Sequence, residues 1–292
     1  MKRHIAGLAC AATAVLSVST FASAAHAQAA DPVTALKGEF TSGRGVSFAE
    51  TTKIHSSGGN AVVAQRKGVF QFGTSGISAS DQTGKLRIKQ SDLGGALEES
   101  DGEEDDTFSK MLAGMAKPER VIRIKNTSYV SGGMLGEFIP AEKTWVRLPM
   151  PMMGMVGSVS QYVNAAEPAT LKALLAHATT KRAGLYGGKI TFGELDKVSP
   201  WFRASMPGRG SGKAAKTVVS WKLFLGADRL ATRLTTTYAM PGMSGSTMTV
   251  DTRYTGWGSK VTVKAPAAEE VAELKELQEG GEEATSIPLL GN

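Results

Sequence analysis

The chain has 292 residues, of which 41% are hydrophobic, and its 33 Lys and Arg outweigh 27 Asp and Glu to give a formal net charge of +6. Its single cysteine, Cys10, lies in an N-terminal leader, so disulfides, thiolate metal sites and cysteine nucleophiles are excluded from the rest of the chain. No segment after the leader has the apolar length of a membrane-spanning helix.

Residues 1–27 have the organisation of a secretory signal peptide. Two basic residues open it, an apolar stretch follows from Ile5 to Ala22, and the run AHA at 25–27 matches a cleavage site. A membrane anchor is the competing interpretation, but the stretch is short and rich in Ala and Ser. A lipid anchor at Cys10 stays open, although few apolar residues precede it. We predict export to the extracellular side of the cell envelope, with cleavage near Ala27.

Residues 28–268 are predicted to form one β-rich domain, followed by an acidic helix and tail at 269–292. The run EESDGEEDD at 98–106 inserts seven acidic residues into the domain, and residues 269–283 hold seven more. Such runs are usually solvated loops, and the competing interpretation is that they shield a basic surface. The basic remainder favours an anionic membrane surface or a cell-wall polymer as a further partner.

The elements before residue 180 combine strands with a few helices. Asp31 and Pro32 are typical of a helix start, and the turn at 57–59 predicts a hairpin. The leucines that follow Pro168 share one face at helical spacing. Predicted strands lie at 44–56, 60–73, 85–92, 119–133 and 143–149, and predicted helices at 31–40, 108–117 and 168–178.

The remainder is predicted to be almost entirely strand. Apolar and polar residues alternate along the segments, which is typical of an antiparallel sheet with one buried face. In YTGWGSKVTVKAP at 254–266, Gly256 and Gly258 permit a bend, Trp257 packs over the sheet end, and Pro266 ends the strand. The predicted strands lie at 188–198, 217–225, 229–240, 246–255 and 259–265.

The chain resembles the LppX/LprG-type envelope lipoproteins of actinobacteria in the order of six segments. These segments are SYVSGG, KTWVRLP, a Pro-capped leucine helix, GGKITFGELDKV, WKLFLGADRLATRLTTTY and VDTRYTGWGSKVTVKAP. They are related in fold to the carrier LolA and to the sensor domain of RseB. The resemblance covers about residues 120–271 and is most specific over 225–266. It implies an α+β fold, a strongly curved antiparallel β half-barrel with a few helices on its concave face. The chain differs from the family in its acidic insert and in lacking a clear lipobox.

The resemblance also implies an apolar cavity between sheet and helices that takes up acyl chains. Burial is worth roughly 25 cal/mol per Å², and the leucine helix is too short to cover the whole meander alone. The competing interpretation is that other helices and loops fill this space with ordinary core packing. The predicted lining residues are Leu171, Leu174, Leu175, Val219, Trp221, Leu223, Leu225, Leu234, Val250, Met152 and Met153.

Methionines and tryptophans carry two further predictions. Unbranched methionine side chains adapt to irregular apolar ligands, so the methionine-rich loop at 150–155 is either a lid over the cavity or an anchor on the core. The four tryptophans are predicted to be core anchors: Trp145, Trp201, Trp221 and Trp257.

We predict no enzymatic activity, cofactor or bound metal. The sequence has no HExxH, GxSxG or zinc-ligand spacing, and GRGSGKAAK departs from a phosphate loop at Pro207 and Ala214. The acidic run at 98–106 lacks the order of an EF-hand loop. Nucleic acid is not an expected partner, since no recognisable binding module is present.

These features predict an exported, monomeric binding protein that holds or carries lipid or lipid-linked glycan at the cell envelope. The alternative is a regulatory module of the RseB type, in which the same sheet docks a partner protein.

Overall fold

The computed structural model describes residues 31–87, 105–240 and 245–278. In these ranges the strands are β1 Arg44–Ser56, β2 Gly59–Phe72, β3 Ile77–Leu86, β4 Glu119–Ile124, β5 Thr127–Gly132, β6 Trp145–Leu148, β7 Ala178–Arg182, β8 Leu185–Thr191, β9 Val218–Leu225, β10 Ala231–Ala239, β11 Thr247–Lys260 and β12 Val271–Glu273. The helices are α1 Pro32–Gly38, α2 Asp105–Met115, α3 Gly133–Gly136, α4 Gly154–Gly157, α5 Pro168–Ala176, α6 Phe192–Val198, α7 Pro200–Ser205 and α8 Leu274–Gln278.

All twelve strands join one open, curved sheet in the order β12-β6-β5-β4-β3-β2-β1-β11-β10-β9-β8-β7. Every neighbouring pair is antiparallel except β12 and β6, which run parallel. The chain therefore has the predicted α+β architecture, a curved antiparallel sheet with several helices.

The two faces of the sheet differ as the alternation predicts. We call the face that bears the helices the inner face and the opposite one the outer face. In β9, Val219, Trp221 and Leu223 point inward and are buried, whereas Ser220 and Lys222 between them are exposed on the outer face. The inner face continues through β10, β11, β1 and β2 into one buried apolar cluster.

Short helices cover this cluster. Leu36 of α1, Leu171 and Leu174 of α5, Phe192 of α6 and Trp201 of α7 are all buried in it. Asp31 caps α1 and Pro32 occupies its first turn, as predicted. Helix α5 ends at Ala176, two residues before the predicted end, and Ala178 begins β7.

The prediction that 188–198 is a single strand is wrong in its second half. Strand β8 ends at Thr191, whose hydroxyl accepts a hydrogen bond from the Glu194 N–H at 3.2 Å. The Glu194 carboxylate accepts in return from the Thr191 N–H at 2.8 Å. This capping box starts α6, and α7 starts with Ser199, whose hydroxyl accepts from the Phe202 N–H at 3.0 Å, followed by Pro200.

The third strand also lies elsewhere than predicted. β3 spans Ile77–Leu86, so it overlaps the predicted strand at 85–92 only at its end, and residues 88–92 lie outside the described ranges. The inward positions of β3 carry Ser80, Gln82 and Gly84. Because these side chains are polar or absent, β3 lacks the alternation of apolar residues by which strands are recognised.

The last strand of the meander, β11, runs to Lys260 and stops earlier than predicted, and its register to β1 shifts between Thr255 and Ser259, where a bend was predicted. Gly256 and Gly258 have φ values of 68° and 71°, a region that favours glycine. Trp257 packs over the sheet end as predicted, stacked on Phe72 with its ring centroid 6.0 Å away. The Val263 N–H donates to the Gln71 side chain at 2.6 Å, so KVTVK lies along the sheet without extending β11.

The segment after residue 268, predicted as an acidic helix and tail, contributes to the sheet. Val271, Ala272 and Glu273 form β12 beside β6, and Leu277 of α8 is buried in a small apolar cluster under β4–β6. Residues 279–292 of the predicted tail lie outside the described ranges.

Candidate functional site

The predicted lining residues lie on the inner face and on the helix that covers it. Nine of them belong to the large cluster: Leu171, Leu174, Val219, Trp221, Leu223, Leu225, Leu234, Val250 and Met153. Their exposed fractions run from 0% to 8%, so protein side chains surround each of them closely. Leu175 is partly buried against the same cluster. That they line a cavity for acyl chains stays a prediction.

Met152 lies apart from the other ten residues. It packs against the small cluster under β4–β6, which includes Val130, Val146 and Leu148. The Met152 N–H donates to the Ser128 hydroxyl at 2.8 Å, so the methionine-rich loop is fixed to β5 at this point. Adjacent Met153 points the other way, into the large cluster. The loop therefore bridges the two clusters.

A chain of polar side chains crosses the centre of the inner face, beneath the segment that leads to α5. Gln161 on this segment accepts a hydrogen bond from Thr236 of β10 at 2.8 Å and donates to Thr252 of β11 at 3.1 Å. Glu50 of β1 accepts from Arg66 of β2 through Nε at 2.7 Å. All five residues are buried. A polar line thus runs across four neighbouring strands inside an otherwise apolar face.

Arg66 is the most constrained member of this line. Its side chain is 2% exposed, and its guanidinium lies over the Phe48 and Trp201 rings at 5.6 and 5.3 Å. Its Nη2 lies 2.6 Å from Glu50 Oε2. Burial raises the pKa of Glu50, and the charge and hydrogen bond of Arg66 oppose that rise.

Two further buried carboxyl groups hold the covering segments in place, one of them from the sheet and the other from within the cover. Glu119 of β4 accepts from the Met155 and Val156 N–H groups of the α4 region at 3.0 and 3.1 Å. Glu167, which precedes α5, accepts from the Ser199 hydroxyl at 2.5 Å and the Trp201 N–H at 2.8 Å. Burial raises the pKa of both carboxyl groups, although these hydrogen bonds oppose it.

This polar line was not predicted from the sequence. The available signal was a charged residue at an inward position in each arm of the first hairpin, where Glu50 and Arg66 pair directly across β1 and β2. Gln161 offered no such signal, because it lies outside any strand or helix.

Metal sites, membrane-spanning helices and surface grooves were also sought in the described ranges. Within them, no three His, Cys, Asp or Glu side chains are grouped so that they could hold a metal ion. No helix in the same part of the chain has the length and hydropathy of a membrane span. Three surface grooves open on the outer face, across β7–β10 and across β1–β4 with β11.

Comparison with known proteins identifies no family for this chain: no family model and no curated protein matches it. Similar solved structures include a hypothetical protein from Chlamydia trachomatis, with 10% identity, a TM-score of 0.30, and coverage of 80% of this chain and 98% of that chain. A LolA superfamily protein from Nitrosomonas europaea has 6% identity and a TM-score of 0.30, covering 80% and 93%. A DUF1329 family protein from Desulfovibrio piger has 10% identity and a TM-score of 0.27, covering 76% and 88%.

TM-scores of this size carry no argument about function. One of these proteins belongs to the LolA superfamily, and none of the three is described as an LppX/LprG-type protein. The assignment to that actinobacterial type stays a prediction.

Proposed function

We propose that this protein is an exported, non-enzymatic carrier that holds the acyl chains of a lipid or lipid-linked glycan between its inner face and the helical cover. One observation supports the proposal most. A single apolar cluster extends over six neighbouring strands, yet the helices that close it, α1, α5, α6 and α7, have only six to nine residues each. Short elements separate from a sheet more readily than long helices, because each buries less apolar surface.

Uptake requires that separation, since the predicted lining side chains are already buried against one another. An acyl chain can offset the cost. Burial of each CH₂ is worth about 0.8 kcal/mol, so a chain of about 16 carbons gains about 12 kcal/mol on entry. This gain equals the transfer of several buried leucine-sized side chains into water, at roughly 1.5–3 kcal/mol each. The lipid thus replaces the contacts that the cover gives up.

The filled interior also supports a second candidate, the interaction module of the RseB type. If the cover never separates, the inner face serves only as a core, and a partner protein binds elsewhere. The two candidates differ in one measurable property, which is whether blocking the movement of the cover abolishes lipid uptake.

An engineered disulfide tests this property. A Cβ on Gly84 of β3 would lie 3.1 Å from the Val156 Cβ of α4, within about half an ångström of the usual range for disulfides. In the chain from residue 28, which has no other cysteine, Gly84→Cys with Val156→Cys should tie α4 to the sheet and hold in place the preceding Met153, which closes part of the large cluster. We expect a fluorescent phospholipid to enter the delipidated wild type and the reduced variant, and to be refused by the oxidised variant.

A second disulfide is the matched control. A Cβ on Gly187 of β8 would lie 3.6 Å from the Thr180 Cβ of β7, so Gly187→Cys with Thr180→Cys joins two strands without touching the cover. This variant should take up lipid in both redox states. If delipidated wild type binds no phospholipid and none co-purifies with it, the carrier proposal is wrong and the interaction module is favoured.

A further inference from the structure

The outer face of the sheet has a strongly basic character that the carrier proposal does not use. Its central strands carry exposed cations that point away from the core. Those that border the grooves are Lys67, Lys85, Arg120, Lys189, Lys222 and Arg253. Strands of one sheet lie about 5 Å apart, so the cations of β2–β4 and β11 and those of β8 and β9 form two groups on the same face, which together make up a basic field.

Three grooves run through this field. One, of about 750 Å³, crosses β7–β10 and is lined by Lys189, Lys222 and the hydroxyl groups of Ser220, Thr235 and Thr237. The other two, of about 500 and 620 Å³, cross β1–β4 and β11 and share Lys67 and Arg253.

The grooves adjoin one another at the boundary between β10 and β11. Thr235 in the first groove donates a hydrogen bond to Asp251 in the second at 2.9 Å. The first groove therefore lies beside the other two on the outer face, and we call the three neighbouring grooves together the trough.

The two aspartates that line the trough, Asp81 and Asp251, already have arginine partners. Asp81 accepts two hydrogen bonds from Arg120, at 2.9 and 2.6 Å. Asp251 accepts from Arg233 at 2.7 Å. Within the described ranges, by contrast, the ammonium groups of Lys67, Lys189 and Lys222 have no ion-pair partner, so the trough keeps a surplus of positive charge.

We propose that this trough binds a strand of an anionic polymer that carries a carboxylate or phosphate group at each repeat. Lysines at intervals along the trough meet the charges, and the serine and threonine hydroxyl groups offer hydrogen bonds to the polymer between them. A bilayer is the weaker fit, because a flat surface cannot enter a groove between side chains. The proposal is independent of lipid uptake, since the trough and the apolar cluster lie on opposite faces.

The test measures binding of fluorescently labelled polygalacturonate and of long-chain polyphosphate by anisotropy, at low and high salt. The groove variant combines Lys67→Gln, Lys189→Gln and Lys222→Gln. The control variant combines Lys37→Gln, Lys172→Gln and Lys197→Gln, which removes the same charge from α1, α5 and α6 on the opposite side. All six lysines are exposed, so both variants should fold.

We expect wild type to bind at least one of the two polymers, and high salt to weaken that binding. Neutral dextran should not bind. An exposed ion pair contributes about 1.4-fold to fivefold in affinity, so the loss of three should weaken binding by the groove variant about threefold to a hundredfold, and the control should lose less than twofold. Preference for one polymer identifies the anionic group, carboxylate or phosphate.

Three results would overturn the proposal: no binding of either polymer, equal losses in both variants, or binding of vesicles with 30% phosphatidylglycerol through the same lysines when neither polymer binds. The groove variant should still take up lipid. Loss of polymer binding with uptake intact therefore separates this proposal from the carrier proposal.

Discussion

The inner face has two halves, a large one and a small one, and different kinds of side chain pack against them. In the large half, β1, β2 and β8–β11 contribute aromatic and branched residues to a cluster that also includes four helices. In the small half, β4–β6 and β12 rest on a cluster of six buried residues, and β3 beside them presents Ser80 and Gln82. The line from Thr236 to Arg66 crosses four strands of the large half and ends on β2, the strand that pairs with β3. The inner face is therefore largely apolar in the large half and partly polar at β3.

The contrast can be measured with one substitution made in each half. Leu234 of β10 and Leu148 of β6 are both 0% exposed, but Leu234 lies in the large cluster and Leu148 in the small one. We expect Leu234→Ala to lower the free energy of unfolding by about 4 kcal/mol and Leu148→Ala by about 2.5 kcal/mol, because a thin cluster collapses more readily around a deleted side chain.

Urea unfolding followed by tryptophan fluorescence gives both values. Leu234→Met is the volume-conserving control and should cost less than about 1.5 kcal/mol. Equal losses for the two alanine variants would mean that the halves are packed alike, and the contrast would fail.

The next prediction concerns the ion pair between Arg66 and Glu50, which lies beside the boundary between the halves. It tests how much this pair contributes to stability when one of its charges is removed. Arg66→Met leaves Glu50 buried without its partner, and breaking a buried pair in this way costs roughly 3–4 kcal/mol. Replacing both residues, with Glu50→Leu added to Arg66→Met, should recover most of that loss, because no uncompensated charge is left behind.

Thermal and urea unfolding of the two variants measure the difference. If the single variant is as stable as the double variant, Arg66 does not compensate a buried charge in the protein, and the polar line carries less energy than its geometry implies.

The accuracy of the sequence-based prediction also differs between the large and the small half of the inner face. The first hairpin, β9–β11 and α5 are recognisable because their apolar residues recur at strand or helix spacing and face the large cluster. β3 was not predicted at its observed position because its inner positions carry Ser80 and Gln82, so apolar residues do not alternate along the strand. Helices α6 and α7 show their capping residues, Thr191 with Glu194 and then Ser199, but short helices inside a strand-like stretch leave too few turns for a helical period.

The candidate site is predictable only in part, for a physical reason. Alternation shows which side chains point inward, and ten of the eleven predicted lining residues do lie in or against one cluster. Whether inward side chains enclose a space or fill it depends on how closely the cover approaches, and that distance is set by contacts such as Glu119 with the Met155 N–H. Residues that meet across long sequence separations leave no periodic signal.

Each half also has one buried carboxyl group that holds its part of the cover, and their pH dependence provides the last comparison. Burial raises the pKa of Glu119 and of Glu167 above the ordinary value of 4.5, so both bind a proton more readily in the folded chain than in the unfolded one. Their contribution to stability is therefore greatest below pH 4.5 and declines as the pH rises through the folded pKa. Each contributes a slope of at most about 1.4 kcal/mol per pH unit in that window.

Glu194 is the matched control, because hydrogen bonds from Thr191 lower its pKa below 4.5. Its contribution has the opposite sign: it is present above pH 4.5 and is lost as the pH falls. Unfolding free energies measured from pH 3 to 8 should show a shallower decline for Glu119→Gln and Glu167→Gln than for wild type, and a shallower acid loss for Glu194→Gln. A steeper decline in either of the first two variants would mean that its carboxyl group is stabilised as an anion, and the cover in that half would then be held by a charge rather than by a neutral acid.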